Sequence, residues 1–228
     1  MEKFLNSKIK SFVVRNNRLT KGQKKAIIDF SSMYCLTPEY GPVDFKNVFQ
    51  DDKPIVIDIG FGMGQEMIDF AFTHSEINIL GIEVYKPAIG SVLREINTKE
   101  IKNIRLVVGD ALTVVKDFVP SNSIKEFHIY FPDPWPKKRH CKRRLIDNEF
   151  SKILIDKLNY GGFLRSATDN YDYAHQILSC FTSQKLLTNT ANGFAERPID
   201  RHCSKFEKKA LQKNSSIYEI CFKKTNPK

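Results

Sequence analysis

The chain reads as an α/β protein built on a mostly parallel sheet with helices on both faces, and three observations carry that reading. Short apolar runs alternate with segments of helical apolar spacing along most of the sequence, the pattern of strands joined by crossover helices. The first such run ends in a glycine-rich turn, and the next two each end in an acid. A chain of 228 residues, 41% of them apolar, can bury one substantial core.

The elements follow in order. Residues 1–36 read as a basic arm, with flexibility expected of it, and TPEYGPVDF (37–45) reads as a linker into a single domain, 37–228. PIVIDIG (54–60) is the first strand, ending in glycine, and EMIDFAF the helix after it. INILGIE (77–83) and NIRLVVGD (103–110) are the next strands, followed by the helices KPAIGSVLREI and ALTVVKDF. SIKEFHIYFPD (123–133) is a fourth strand. In LIDNEFSKILIDKL (145–158) the apolar residues at 146, 150, 153, 154 and 158 make one helical stripe. GGFLRSATD (161–169) is a fifth strand, YDYAHQILSCF a fifth helix, and IYEICFK suits a late strand. Sheets of this kind bind ligands beyond the carboxyl ends of their strands, where strand order reverses. The turn after Asp58 and the loop at Asp133 are therefore expected to face one another.

Charge is uneven. The total is +10, yet residues 1–28 net +7, residues 137–144 net +6 and residues 196–228 net +5, leaving −8 for the rest. An acidic body with three basic margins points to a polyanion held at defined places. No apolar run reaches the roughly 18 residues a membrane helix needs. MEKFLNSKIK places charges where a secretory signal has its apolar centre, so a cytoplasmic protein is expected. Five scattered cysteines without a C-x-x-C pair read as reduced thiols. His140-Cys141 and His202-Cys203 lack zinc spacing, so no metal is expected.

The turn D-I-G-F-G-M-G holds Asp58, Gly60, Gly62 and Gly64. A dinucleotide fingerprint needs a third glycine three residues after the second, where Gln65 stands here. A carboxylate two residues before the first glycine would repel a pyrophosphate but suits an ammonium or sulfonium. The turn therefore favours S-adenosylmethionine over NAD. Glu83 ends the second strand, where an acid can accept from both ribose hydroxyls. Asp110 ends the third and either accepts from the adenine amino group or caps the helix beginning at Ala111.

FPDPWPKKRHCKRR (131–144) sets one acid, Asp133, among three prolines, the only tryptophan and six cations. The prolines fix φ and lower the entropy lost in holding Asp133 still. Trp135 either packs with its polar tip satisfied or stacks on a base. The basic run offers ammonium and guanidinium donors to phosphates.

With SFVVRNNRLTKGQ (11–23), DIGFGMG (58–64), GIE (81–83), FPDPWPKKRHCKRRL (131–145), ATD (167–169) and ERPIDRHCSKFEKK (196–209), the chain resembles the bacterial tRNA (guanine-N7-)-methyltransferase (TrmB) family. The resemblance covers nearly everything after residue 10. It implies a class I S-adenosylmethionine-dependent fold with a Rossmann-like, doubly wound, mostly parallel seven-stranded sheet. It also implies a cytoplasmic enzyme, monomeric or homodimeric, that methylates guanine 46 in the tRNA variable loop. Matched by motif, the cofactor-binding residues would be Asp58, Gly60, Gly62, Gly64, Glu83, Asp110 and Asp133, with Asp133 also catalytic. Lys137, Asp169, Ser204, Lys205, Phe206 and Glu207 would bind substrate, the last four within a C-terminal substrate-binding segment, 191–210. Arg139, Lys142, Arg143 and Arg144 would meet RNA. Two departures are small: Asp58 stands where the family often has glutamate, and Ser204 where it has threonine.

Overall fold

The computed structural model describes residues 11–12, 18–38, 41–199 and 201–226. Of the expected N-terminal arm, residues 1–10 and 13–17 lie outside the described residues. The chain divides into two compact units, one within 1–8 and 13–119, the other within 9–12 and 120–228.

In the first unit, strands β1 (Cys35–Leu36), β2 (Ile55–Ile59), β3 (Asn78–Glu83) and β4 (Ile104–Val108) lie parallel in the order β1-β4-β3-β2. β2 is buried along its whole length, as a strand covered on both faces must be. Helices α1 (Lys21–Tyr34), α2 (Phe45–Phe49), α3 (Gln65–Thr73), α4 (Lys86–Thr98) and α5 (Ala111–Phe118) surround the strands. Val56, Ile79, Leu106, Ile68, Val92 and Leu93 lie in one apolar cluster from β2, β3, β4, α3 and α4. Register sets Asp58 opposite Gly81 and Glu83 opposite Val108, so the acids ending β2 and β3 come to one edge.

Helix α1 occupies 21–34 of the segment read as an arm. Its start is a reciprocal capping box: the Gln23 N–H donates to Thr20 Oγ1 (3.2 Å) and the Thr20 N–H to Gln23 Oε1 (2.9 Å). Ala26 and Tyr34 join the apolar cluster. Gly90 lets α1 approach α4, since a Cβ there would lie 2.8 Å from the Gln23 carbonyl oxygen.

In the second unit, β5 (Ile124–Tyr130) pairs parallel with β6 (Leu158–Thr168), and β8 (Tyr218–Lys224) runs antiparallel to both β6 and β7 (Leu187–Asn189). The order is β5-β6-β8-β7. A 3-10 helix (Lys138–Arg143), α6 (Asn148–Lys157), α7 (Tyr171–Thr182) and α8 (Lys205–Gln212) complete the unit. Side chains of Asp147, Asn170 and Ser204 accept from the third N–H of α6, α7 and α8, the ordinary N-cap arrangement. Phe127, Phe150, Tyr173, Phe181 and Phe222 are fully buried. Lys224 is buried with them, its Nζ donating to Asn122 Oδ1 and to the carbonyls of Ile155 and Leu158 at 2.7–2.8 Å. Among the described residues the strands number eight, against the seven expected. Among the described residues no helix is long and apolar enough to cross a membrane.

Candidate active site

In the first unit the residues singled out from sequence converge on the carboxyl ends of β2, β3 and β4. Gly60, Gly62 and Gly64 take φ of +74°, +54° and +79°, so the chain folds back after β2 through conformations open chiefly to glycine. A Cβ on Gly64 would sit 2.1 Å from Val92 Cγ2, whereas one on Gly60 would meet nothing within 4 Å. One glycine is thus required by packing against α4, and another leaves open space beside the turn.

Glu83 holds this turn. Its Oε2 accepts from the Gly62 N–H (3.0 Å), and its Oε1 from the N–H groups of Val84 (2.7 Å) and Tyr85 (3.0 Å). A carboxylate so held is fixed at the strand end, and each of its oxygens can accept more than one donor. Asp110 Oδ2 accepts from the Thr113 N–H (3.2 Å) and Oγ1 (2.9 Å), and so caps α5. The capping role is present here, and it uses only one of the two carboxylate oxygens.

Asp58 is 6% exposed. Burial pushes the pKa of its carboxyl well above the ordinary carboxylate range, and the negative charges of Glu66 and Glu83 push it further. All three influences disfavour the ionised form. A buried acid among acids, beside an open glycine turn, is a site that a positively charged ligand fits.

In the second unit the loop after β5 is tied down along its length. It leaves the sheet with the Phe131 N–H donating to the Ala167 carbonyl of β6 (2.7 Å). Phe131 (φ +51°) and Trp135 (φ +44°) both adopt left-handed backbone, uncommon for such bulky residues and costing about 1–3 kcal/mol each. Asp133 lies exposed between them. The Trp135 indole N–H donates to the Ser11 carbonyl (3.0 Å), and the Arg143 guanidinium lies 4.8 Å from the ring centroid. The tryptophan therefore packs with its polar tip satisfied and a cation over its face. Lys137 caps the 3-10 helix, its carbonyl accepting from the His140 N–H (2.7 Å). Lys137, Arg139 and Lys142 are exposed. Partial desolvation first, then the charges of Arg139, Arg143, Lys137 and Lys142, push the His140 imidazole below its ordinary value.

Arg144 departs from its neighbours. It is 7% exposed, its Nε donating to the Pro134 carbonyl (2.9 Å) and its Nη1 to Gln176 Oε1 (2.7 Å). Asp169 is exposed immediately after β6.

Ser204 through Glu207 open α8. Ser204 is its N-cap, accepting from the Glu207 N–H (3.1 Å), Lys205 is its first residue, and Phe206 is 60% exposed. Glu207 is 1% exposed and held bidentately by Arg201 (2.8 and 2.9 Å) and by Arg197 Nε (2.8 Å). Arg201 also donates to Glu219 of β8 and lies 4.9 Å from the Tyr130 ring centroid. Burial acts to raise the Glu207 carboxyl, but the two arginines outweigh it and hold the group below the ordinary range. At Glu219 burial wins over Arg201, and that carboxyl is raised. A cavity of about 620 Å³ adjoins this network, lined in part by Tyr130, Arg165, Phe194, Arg197 and Glu219. Three of its charged walls have ion-pair partners: Arg165 Nε with Glu126 (2.8 Å), Arg197 with Glu207, and Glu219 with Arg201. Glu126, raised by burial yet outweighed by His128 and Arg165, falls to about 2. Sequence reading did not single out Arg197, Arg201, Glu219, Tyr173 or Gln176. The only available signal was Ser-x-x-Glu, a capping-box pattern, at 204–207.

A family described as "Putative methyltransferase" matches residues 52–220. A tRNA (guanine-N(7)-)-methyltransferase of Cupriavidus metallidurans is 38% identical over 95% of this chain and 84% of its own length. The protein of that name from Bordetella pertussis is 39% identical over 95% and 85%. This chain belongs to the tRNA (guanine-N7-)-methyltransferase family. Solved structures agree on the fold: the 16S rRNA methyltransferase KamB matches with a TM-score of 0.60 at 10% identity, over 82% of this chain and 95% of its own. An A1408 methyltransferase from an uncultured bacterium matches with a TM-score of 0.55 at 17% identity, over 80% and 95%. The fold is thus that of the class I methyltransferases, and S-adenosylmethionine is the cofactor of this tRNA (guanine-N7-)-methyltransferase family member. The turn at Gly60–Gly64 with Asp58, Glu83 and Asp110 fits such a cofactor: open space at Gly60, a buried acid for a cation, and acceptors for hydroxyl and amino groups.

Proposed function

We propose that the protein transfers the methyl group of S-adenosylmethionine to N7 of guanine 46 in the variable loop of tRNA, in the cytoplasm. Family membership carries the activity as far as tRNA guanine N7. The observation that supports the substrate side is the exposed carboxylate of Asp133 on a backbone fixed at Phe131, Pro134 and Trp135, followed directly by exposed cations.

S-adenosylmethionine supplies an electrophilic methyl group. Guanine N7 carries an in-plane lone pair and no proton, so no general base is needed and positioning dominates. Asp133 orients the guanine by accepting from its N1–H and amino edge, and stabilises the positive charge left on the methylated base. Asp58, Glu83, Asp110 and the glycine turn hold the cofactor. Lys137, Asp169, Ser204 and Phe206 contact substrate, while Arg139, Lys142 and Arg143 meet phosphates. Glu207, with both oxygens engaged by arginines, serves the substrate segment by fixing α8.

Labelled S-adenosylmethionine with unmodified tRNA transcripts, followed by borohydride and aniline cleavage, is the direct test. One cut in the variable loop, lost when guanine 46 is replaced, is the expected result. Incorporation without that cut would overturn the position. Asp133→Asn is expected to lower kcat by roughly 10²–10³-fold while cofactor Kd changes little, because the amide places a donor against guanine donors. Equal turnover in that variant would remove Asp133 from the chemistry. Changing Arg139 and Lys142 to Gln is expected to raise KM for tRNA and to reduce the log–log salt slope by roughly 1–2, leaving kcat nearly unchanged.

A further inference from the structure

Arg144 stands last in a run of cations, yet it is not presented to solvent. Its guanidinium lies 4.9 Å from the centroid of the Tyr173 ring and bridges two structures: Nε reaches the Pro134 carbonyl, and Nη1 reaches Gln176 on α7. The segment behind it is fastened to the same helix. The Ile146 N–H donates to the Tyr173 hydroxyl (2.9 Å), and the Ile146 carbonyl accepts from Gln176 Nε2 (3.0 Å). Pro134 follows Asp133 directly, so its carbonyl, in the Pro134–Trp135 peptide, lies one residue beyond the exposed acid. Proline has no N–H, and a carbonyl turned inward needs a donor. Arg144 is that donor.

We propose that Arg144 is a positioning residue for methyl transfer: with Tyr173 and Gln176 it hangs the Asp133 loop from α7 and sets where the carboxylate stands. The inference rests on the reading of Asp133 as the guanine-orienting group. Three features support it. The loop carries two left-handed bulky residues, Phe131 and Trp135, a conformation that persists only where the surroundings enforce it. The planar guanidinium matches the task, since one group must stack on an aromatic face while directing two donors along different lines. Adjacent Arg143 faces the Trp135 ring instead, so two consecutive arginines grip different parts of one loop.

Arg144→Lys, Arg144→Ala and Gln176→Leu, beside wild type and Asp133→Asn, separate the alternatives. Single-turnover rate, KM for tRNA, salt slope, cofactor Kd and melting temperature are measured for each. The expected result is a fall in turnover on the order of 10–100-fold in Arg144→Lys, as displacement of a catalytic loop by about 1 Å produces. KM for tRNA, salt slope and cofactor Kd should stay near wild type. Lysine keeps the charge but cannot donate along both lines while stacking, so it should not rescue. Gln176→Leu should lose turnover in the same sense but less. A raised KM with a shallower salt slope and intact turnover would make Arg144 a phosphate contact and overturn the proposal. Turnover that falls only in proportion to the folded fraction would reduce it to a stability residue, also overturning it. Full turnover in Asp133→Asn together with a loss in Arg144→Lys would overturn the Asp133 reading and leave the loop's placement as the quantity Arg144 controls.

Discussion

Asp58→Asn is expected to weaken S-adenosylmethionine binding by roughly 10–100-fold and, at the same time, to raise the melting temperature of the cofactor-free protein. The first effect removes a contact to a cationic ligand, worth about 1.5–3 kcal/mol. The second follows from the buried acid. Burial, Glu66 and Glu83 all raise the Asp58 carboxyl in the folded state. A folded-state value above the unfolded one means the folded protein holds a proton that the unfolded chain releases. Stability from this group is therefore fully present below the ordinary carboxylate range and lost as pH rises towards the raised value. Each tenfold weakening of its acidity lowers stability at neutral pH by about 1.4 kcal/mol, and asparagine escapes that penalty. Thermal melts from pH 4 to 8 should show the gap between variant and wild type widening as pH rises, then levelling. Cofactor binding should strengthen over the same window and release a proton, read by calorimetry in buffers of different ionisation enthalpy. Binding that is indifferent to pH, with coincident melts, would show that Asp58 is ionised throughout.

The strands around this acid were legible because they are buried on both faces: Ile55–Ile59, Asn78–Glu83 and Ile104–Val108 fall within the apolar runs read from sequence. The three acids were legible for a related reason. An acid at the end of a buried apolar run stands near the carboxyl edge of the sheet. Asp58 is the penultimate residue of its strand, Glu83 the last of its own, and Asp110 follows the third run. Helix α1 was not legible as such, because eight cations in residues 1–28 masked a weak apolar stripe. What fixes it there is tertiary: Gly90 admits α1 against α4, and Thr20 with Gln23 starts it.

Charge counts misled in one respect. Arg144, Arg201 and Lys224 each add to a basic margin, yet all three are buried and hydrogen-bonded to carbonyls, amides or carboxylates. Net charge per segment records composition, and side-chain direction is set by what each cation packs against, here the rings of Tyr173, Tyr130 and Tyr160. Likewise Ser-Lys-Phe-Glu reads as a substrate motif by resemblance, while the fold uses its first and last residues as cap and ion-pair partner. The two uses are compatible, because Phe206 between cap and ion-pair partner is exposed.

Arg201→Met tests that ion-pair network and should be the most destabilising of the substitutions considered. Arg201 neutralises two buried carboxylates, Glu207 of α8 and Glu219 of β8, and covers the Tyr130 ring at the end of β5. Removing Arg201 leaves Glu219 buried and unmatched and Glu207 with Arg197 alone, at about 3–5 kcal/mol. At 2–4 °C per kcal/mol for a chain of this size, the melting temperature should fall by roughly 6–20 °C. The pH dependence carries the sign. In wild type, Arg197 and Arg201 hold Glu207 below the ordinary range, so its contribution is present above that range and lost as pH falls through the lowered value. Without Arg201, burial dominates at Glu219 while Glu207 keeps only Arg197, and both folded-state values rise. The variant's deficit should then be smallest near pH 4–5, where both acids are protonated, and largest at neutral pH. Adding Glu207→Gln and Glu219→Gln to Arg201→Met should recover most of the loss, because no uncompensated buried charge remains. A deficit independent of pH would assign the cost of Arg201→Met to lost packing on Tyr130. Because Tyr130 stands three residues before Asp133, the single variant should also slow methyl transfer beyond what its folded fraction explains, and the triple variant should regain stability more fully than turnover.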